Sequence, residues 1–325
     1  MVYALRIYET GAPEVMRWER TDVGKPGRGE VRIRHTAAGV NYIDCLKRSG
    51  AYPVPLSLPS GIGDEGAGIV EELGPGIENI KVGDRVAYAG IPGSYSEERI
   101  IAANHLVNIP TGISEQQAAA MMLKGMTAQY LLRRTYNVKS GDKVLFHAAA
   151  GGLGLIACQW AKHLGATVIG TVSSDEKAAL AKAHGCDHVI VYTREDFVRS
   201  VREITNARGV DVVYDGVGKD TFFKSLDCIR PRGMIVSIGQ TSGPIPPLDV
   251  ASLGPKGSLY LARTALAHYT ATRAELLLAS KDLFDVVLSN AIKIEVNQTY
   301  RLIDAVKAHS DLEQRRTTGS SILKI

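Results

Sequence analysis

The sequence predicts an α/β protein in two parts: a small, mostly antiparallel β domain, then a doubly wound domain around a parallel sheet. Three observations carry that prediction. In the first third, strand-length apolar runs are separated by Pro and Gly instead of by helices. From about Ser114 onward, strand-like and helical patterns alternate. Finally, Lys143-Val-Leu-Phe-His147-Ala-Ala-Ala-Gly151-Gly152-Leu-Gly154 runs straight into Leu155-Ile-Ala-Cys-Gln-Trp-Ala-Lys162. That is an apolar strand, a glycine turn, and then Leu155, Ile156, Gln159, Trp160 and Leu164 at helical spacing.

Taken in order, Glu30–His35 alternates in polarity, Gly66–Leu73 is a strand entering Gly74-Pro75-Gly76, and Asp84–Tyr88 is another strand. Glu115–Leu123 and Thr127–Tyr136 have helical character, with Ser114 placed to cap the first. Strands follow near residues 143–148, 167–172, 188–191, 210–215, 233–238 and 258–261, with helical stretches such as Asp175–His184 and Glu195–Thr205 between them. Six strands in βαβ order describe a doubly wound sheet. The segment from about Ala274 has helical runs and a closing strand, Ser320–Ile325, but no βαβ unit, so it is expected to pack back on the first domain.

Composition excludes several classes. With 45% hydrophobic and 22% charged residues, the chain is that of a globular protein. No apolar run is as long as a membrane span, and no signal peptide is read at the start, so a cytoplasmic location is expected. Cys45, Cys158, Cys186 and Cys228 lie far apart without metal-ligand spacing, and read as reduced thiols. The net charge of +4 is scattered, which argues against a nucleic-acid partner.

A strand ending in a glycine turn at a helix N-terminus presents free backbone N–H groups and the positive end of the helix dipole to an anion. A glycine triplet alone can be a structural turn; its βαβ context here makes it a dinucleotide site, with Ala149 where the first glycine of G-x-G-x-x-G would stand. Ala149, Gly151, Gly152, Leu153 and Gly154 are the expected cradle. The second strand ends Thr171-Val172-Ser173-Ser174 without the acid that takes NAD ribose hydroxyls, and Asp175 and Glu176 fit the first turn of the next helix. Ser173, Ser174 and Lys177 suit a 2′-phosphate, which points to NADPH; Ser174 as a helix cap and Lys177 as an exposed helix residue is the competing reading. Tyr192 either contacts the adenosine-phosphate end or packs as a strand-end aromatic.

Gly11-Ala-Pro-Glu-Val15, Gly39-Val-Asn41-Tyr-Ile-Asp44, Arg48–Pro53, Pro59–Gly68, Gly83–Val86, Lys124-Gly-Met-Thr127, the Ala148–Gly154 turn and Gln314–Ser321 together resemble the medium-chain dehydrogenase/reductase superfamily. Within it, the chain resembles the zinc-independent quinone oxidoreductases, the zeta-crystallin-like branch. The resemblance implies a GroES-like catalytic domain at 1–124, an NADPH-binding Rossmann domain at 125–265, and a segment at 266–325 returning to the catalytic domain. The zinc-dependent relatives carry Gly-His-Glu where this chain has Gly63-Asp64-Glu65, and their cysteine ligands are missing or isolated here, so no metal is expected.

Without a Lewis acid, the acceptor must take hydride readily by itself, as a quinone does. The resemblance places Asn41, Tyr42, Asp44 and Tyr52 beside the nicotinamide and the quinone. It places Lys124 and Thr127 at the nicotinamide-ribose and phosphate region. Val217, Gly239 and Gln240 lie in loops after later strands, at the strand C-termini where dinucleotides bind in such sheets, and Arg263 after the last strand and Arg316 near the C-terminus are read as carboxamide or phosphate contacts. The residues taken alone read more plainly, with Asn41 and Asp44 in turn hydrogen bonds, Tyr52 as a core aromatic and His147 as a buried, satisfied histidine. Two rivals stand beside the quinone reading: NADPH-dependent reduction of an enone or 2-alkenal, and a non-catalytic crystallin-like or RNA-binding role. The apolar run Ser258–Ala262, at the sheet edge, suggests a homodimer through the Rossmann sheet.

Overall fold

The computed structural model describes residues 1–325 in full. The chain forms two compact units, Met1–Met126 with Thr270–Leu288 and Ile294–Ile325, and Thr127–Tyr269 with Ser289–Lys293.

The first unit is built on two sheets. In one, β1 (Val2–Ile7) lies between β2 (Arg17–Thr21) and the short β4 (Ser60–Gly61). The other centres on β3 (Glu30–Val40), which pairs antiparallel with β5 (Glu65–Leu73) and β7 (Glu98–Ala102). β6 (Arg85–Ala89) and β8 (Val107–Asn108) extend that sheet beyond β5. Its other edge comes from the C-terminal segment: β16 (Ser320–Lys324) pairs antiparallel with β3 and parallel with β15 (Val296–Arg301). The alternation read in Glu30–His35 is real: Val31, Ile33 and His35 are buried between partly or fully exposed Arg32 and Arg34. Past Thr36 every residue of β3 is buried, and there the strand delivers the chain to α1 (Tyr42–Ser49).

The second unit is a six-stranded sheet in which every neighbouring pair is parallel. Its strands are β9 (Lys143–His147), β10 (Thr167–Val172), β11 (His188–Val191), β12 (Val210–Asp215), β13 (Ile229–Ser237) and β14 (Tyr260–Arg263). The order β11-β10-β9-β12-β13-β14 reverses direction between β9 and β12, the switch point at which such sheets bind ligands outside the strand C-termini. Leu145, Ile169, Val213 and Ile235 lie in register across four strands, and Phe197 and Val201 of α5 (Phe197–Ile204) share their core.

Three boundaries differ from expectation. α2 (Glu115–Tyr130) runs unbroken through Lys124-Gly125-Met126 and ends in a single π turn, Leu131–Thr135. Gly125 does not break the helix because it serves packing: a Cβ there would come within 2.5 Å of Leu283 Cδ1 on α6 (Arg273–Leu288). β13 starts four residues early, with a register shift against β12 that Arg232, at φ 60°, accompanies. β14 starts late because Gly257 and Ser258 both have positive φ.

Candidate active site

In the second unit, the turn after β9 is held by Ala149 N–H donating to the Thr171 carbonyl of β10 (3.1 Å) and Gly151 N–H to the Ala148 carbonyl (2.9 Å). Gly151 stands at the N-cap of α3 (Gly152–His163) without a side-chain cap. The first helical bond is Leu155 N–H to the Gly151 carbonyl, so the amides of Gly152, Leu153 and Gly154 precede the ladder, as an anion site requires. Ala149 in place of a glycine has a structural counterpart. Gly170 of β10 faces it, and a Cβ on Gly170 would lie 2.7 Å from both Ala149 Cβ and Cys186 Sγ.

At the end of β10, Ser174 caps α4 (Asp175–Ala183), its Oγ accepting from Lys177 N–H at 3.3 Å. Tyr192 N–H donates to the Val172 carbonyl, and Thr193 Oγ1 to the Ser173 carbonyl, so Ser173 and Tyr192 are neighbours. Tyr192 is 40% exposed, which leaves its ring open to a ligand. Asp175, the first acid after the strand, is gripped by both terminal nitrogens of Arg194 at 2.7 and 2.5 Å. That pairing engages Asp175 with a cation.

The loops after β12 and β13 are joined. Asp215, fully buried, accepts from Val217 N–H (2.8 Å), Gly218 N–H (3.0 Å) and Thr221 Oγ1 (2.8 Å). Ser242 N–H reaches the Val217 carbonyl at 2.9 Å. Arg263 donates to Ser237 Oγ (3.0 Å) and the Gly239 carbonyl (3.4 Å), which makes it a clamp on the loop carrying Gly239 and Gln240. His147 is buried, with Nδ1 on Thr171 Oγ1 and Nε2 on Ser225 Oγ, both at 2.8 Å, and burial holds its pKa down. It is a neutral, satisfied histidine.

In the first unit, Asn41 caps α1. Its N–H donates to Asp44 Oδ2 (2.8 Å) and its side-chain Nδ2 to Glu65 Oε2 (2.8 Å). Glu65, fully buried at the start of β5, also receives Leu123 N–H (2.8 Å) and Lys124 Nζ (3.1 Å) from α2. Gly39 makes room for this: a Cβ there would sit 2.2 Å from Glu65 Oε2 and 2.3 Å from the Ala119 carbonyl. A buried carboxylate therefore binds Asn41 and Lys124 into one cluster.

Asp44 is the second hub. Its Oδ1 accepts from Asp64 N–H (3.0 Å), and its Oδ2 from Tyr95 Oη (3.1 Å), which in turn meets His309 Nε2 (3.1 Å). Burial, then the neighbouring Asp64, pushes the Asp44 carboxyl up to about 8. Burial, then Arg48, takes His309 down to about 3, so it is neutral. Burial, then Glu313, raises the Cys45 thiol, 3.5 Å from His309 Nδ1, and keeps it protonated. Lys47, one helical turn beyond Asp44, pairs with Asp64 and stands 5.6 Å from the centre of the Tyr52 ring.

Asn41, Asp44, Tyr52 and Lys124 thus belong to one polar region of the first unit. Tyr42 sits half-buried on α1, with burial and then Cys45 and Glu313 raising its pKa. Thr127 lies one turn beyond Lys124 on α2. Arg316 stands outside that region, its guanidinium exposed and 3.4 Å from Asp311. Sequence reasoning passed over Glu65, Asp64, Tyr95, His309 and Lys47. A signal for Glu65 existed: an acid directly before Gly66-Ala-Gly-Ile-Val, a run too apolar and small to lie at a surface. Nothing marked Tyr95 or His309, which reach the hub from 51 and 265 residues beyond Asp44.

Residues 27–111 match the alcohol dehydrogenase GroES-like domain, and residues 152–280 match the zinc-binding dehydrogenase domain. The chain is 51% identical to a quinone oxidoreductase of Pseudomonas aeruginosa over 96% of each protein. It is 49% identical to a 2-haloacrylate reductase of a Burkholderia species over 99% of each. Among solved structures, the quinone oxidoreductase of Escherichia coli complexed with NADPH superposes with a TM-score of 0.96 at 47% identity, over 99% of this chain and 100% of that one.

Proposed function

The chain belongs to the quinone oxidoreductases of the medium-chain dehydrogenase/reductase superfamily, and from that membership we propose how its residues divide the work of reducing a quinone with NADPH. It is an NADPH-dependent oxidoreductase. The observation that carries the residue-level reading is the end of β10: Asp175 is held by Arg194 and Glu176 accepts from Ser174 Oγ at 3.5 Å, while Ser173, Ser174 and Lys177 bring hydroxyls and a cation to the same turn.

NADPH supplies a hydride when bound. The amides of Gly152, Leu153 and Gly154 hold its pyrophosphate, Ser173, Ser174, Lys177 and Tyr192 its 2′-phosphate end, and Val217, Gly239 and Gln240 the remainder, with Arg263 fixing the loop. In the first unit, Asn41, fixed from two sides by Asp44 and Glu65, hydrogen-bonds a cofactor or quinone oxygen, and Tyr52 packs on the quinone ring. Lys124 and Thr127 serve the ribose. The scheme uses no metal, since a quinone accepts hydride without a Lewis acid; Asp64 is engaged by Lys47, and Cys45 by His309.

A homodimer through β14 is part of the same reading. Tyr260 and Leu261 are 58% and 42% exposed on this edge strand, apolar surface that a second copy would cover. Four free, buried cysteines suit the cytoplasm, and the ion pairs that hold several of the basic side chains support the expectation of no nucleic-acid partner. No helix is long and apolar enough to cross a membrane.

The 2-haloacrylate reductase likeness favours one second reading, reduction of an activated C=C bond. Initial rates with 1,4-benzoquinone and with a 2-alkenal, each with NADPH and with NADH, separate the two. The quinone reading requires faster benzoquinone turnover and a preference for NADPH; faster alkenal turnover overturns it.

A further inference from the structure

Lys47 takes no part in the scheme above, yet it is the best-placed cation of the first unit. Its side chain is only 10% exposed and its ammonium pairs with Asp64, whose side chain is 2% exposed. Asp64 Oδ2 receives that bond, while Oδ1, equally buried, accepts none. On its other side the ammonium approaches the Tyr52 ring, 5.6 Å from the centroid. Asp64 is tied in turn to the Asn41 hub, since its N–H donates to Asp44 Oδ1 at 3.0 Å. An ammonium has three N–H groups, and Asp64 uses one of them. A buried, charged donor beside the proposed quinone wall, with N–H groups to spare, is equipped for one task that the scheme leaves open: supplying the proton.

We infer that Lys47 is the general acid of the reaction, giving its proton to the oxygen of the reduced substrate while Asp64 holds the ammonium in place. The inference rests on the placement of the quinone beside Asn41 and Tyr52. Hydride transfer breaks a C–H bond of the dihydronicotinamide and leaves the quinone as a hydroquinone monoanion. An N–H bond of Lys47 then breaks and an O–H bond forms, giving neutral hydroquinone and an amine that recovers a proton from water. The net change is quinone plus NADPH plus one proton to hydroquinone plus the oxidised cofactor. The titratable groups facing Lys47 are Asp64, Asp44 and Tyr52, with Arg99 acting on Asp64.

The test is steady-state and pre-steady-state kinetics of the full chain with NADPH, using 1,4-benzoquinone and a 2-alkenal as acceptors. Lys47→Met is expected to lower kcat about 100-fold, the usual worth of a general acid, with the NADPH dissociation constant changed less than twofold. Lys47→Arg keeps the charge and the pair with Asp64 but does not release a proton, so it is expected to remain slow. Wild-type kcat in Lys47→Met, or its recovery in Lys47→Arg, overturns the inference, the latter by showing a structural ion pair. If Lys47→Met does not fold, Lys47→Arg decides alone. If wild-type enzyme reduces the alkenal and not benzoquinone, the quinone reading falls, and Lys47 is judged by the same variants on the alkenal, whose enolate needs the same proton.

Discussion

Removing the Glu65 carboxylate is the sharpest trial of the site described above. In Glu65→Ala three donors lose their acceptor at once: Asn41 Nδ2, Leu123 N–H and Lys124 Nζ, all within 3.1 Å of it. The ammonium matters most, since the Lys124 side chain is 9% exposed and the residue is left charged among buried neighbours. Deleting one partner of a buried ion pair costs about 3–5 kcal/mol. The two neutral donors overlap with that figure, because all three relax into one cavity. For a unit of this size the loss corresponds to roughly 6–20 °C in Tm. Adding Lys124→Met to Glu65→Ala removes the stranded charge and is expected to recover at least half of it. Differential scanning calorimetry of the two single variants and the double variant measures this directly. A Glu65→Ala protein melting within 2 °C of wild type would mean that Lys124 finds water instead, and the picture of a sealed cluster would be wrong.

Three further outcomes follow from particular contacts. Gly170→Ala places a methyl 2.7 Å from both Ala149 Cβ and Cys186 Sγ, so it is expected to cost about 1–3 kcal/mol and weaken NADPH binding, and adding Ala149→Gly, which relieves only the first contact, is expected to restore part of each; fluorescence titration with NADPH reads the recovery. Lys177→Gln is expected to raise KM for NADPH about 10-fold and to leave KM for NADH unchanged, the worth of one charge-assisted hydrogen bond. His35 and His309 are each held at about 3, by burial first and by Arg99 and Arg48 second. Their folded pKa values are depressed while the unfolded chain takes up protons near 6.5, so their stabilisation is complete above pH 6.5 and is lost as pH falls toward 3. Between pH 6.5 and 5 each histidine is expected to cost about 2 kcal/mol; His309→Gln is expected to remove its share, as urea unfolding at the two pH values would reveal.

The second unit was more legible than the first, and the reason is physical. Its function is carried by backbone at strand ends, and backbone geometry is written locally: the glycine turn after Phe146-His147, the absent acid after Val172, the cap at Ser174. Six apolar runs at regular spacing then have few ways to assemble other than a parallel sheet, and the order observed is one of them. In the first unit the chemistry is carried by side chains that meet across long separations. Asn41, Glu65 and Lys124 come from the end of β3, the start of β5 and the middle of α2, and no periodicity announces that they share a hydrogen-bond network. What the sequence does record is the cost of burying them. Gly39 is a glycine because any larger residue would strike Glu65, just as Gly170 is one because Ala149 and Cys186 already fill the space. Lys47 went unread for the opposite reason: on a helix that also carries Arg48 it resembles any solvent-facing cation, and only Asp64, buried where a charge should not be, reveals that its ammonium is needed inside.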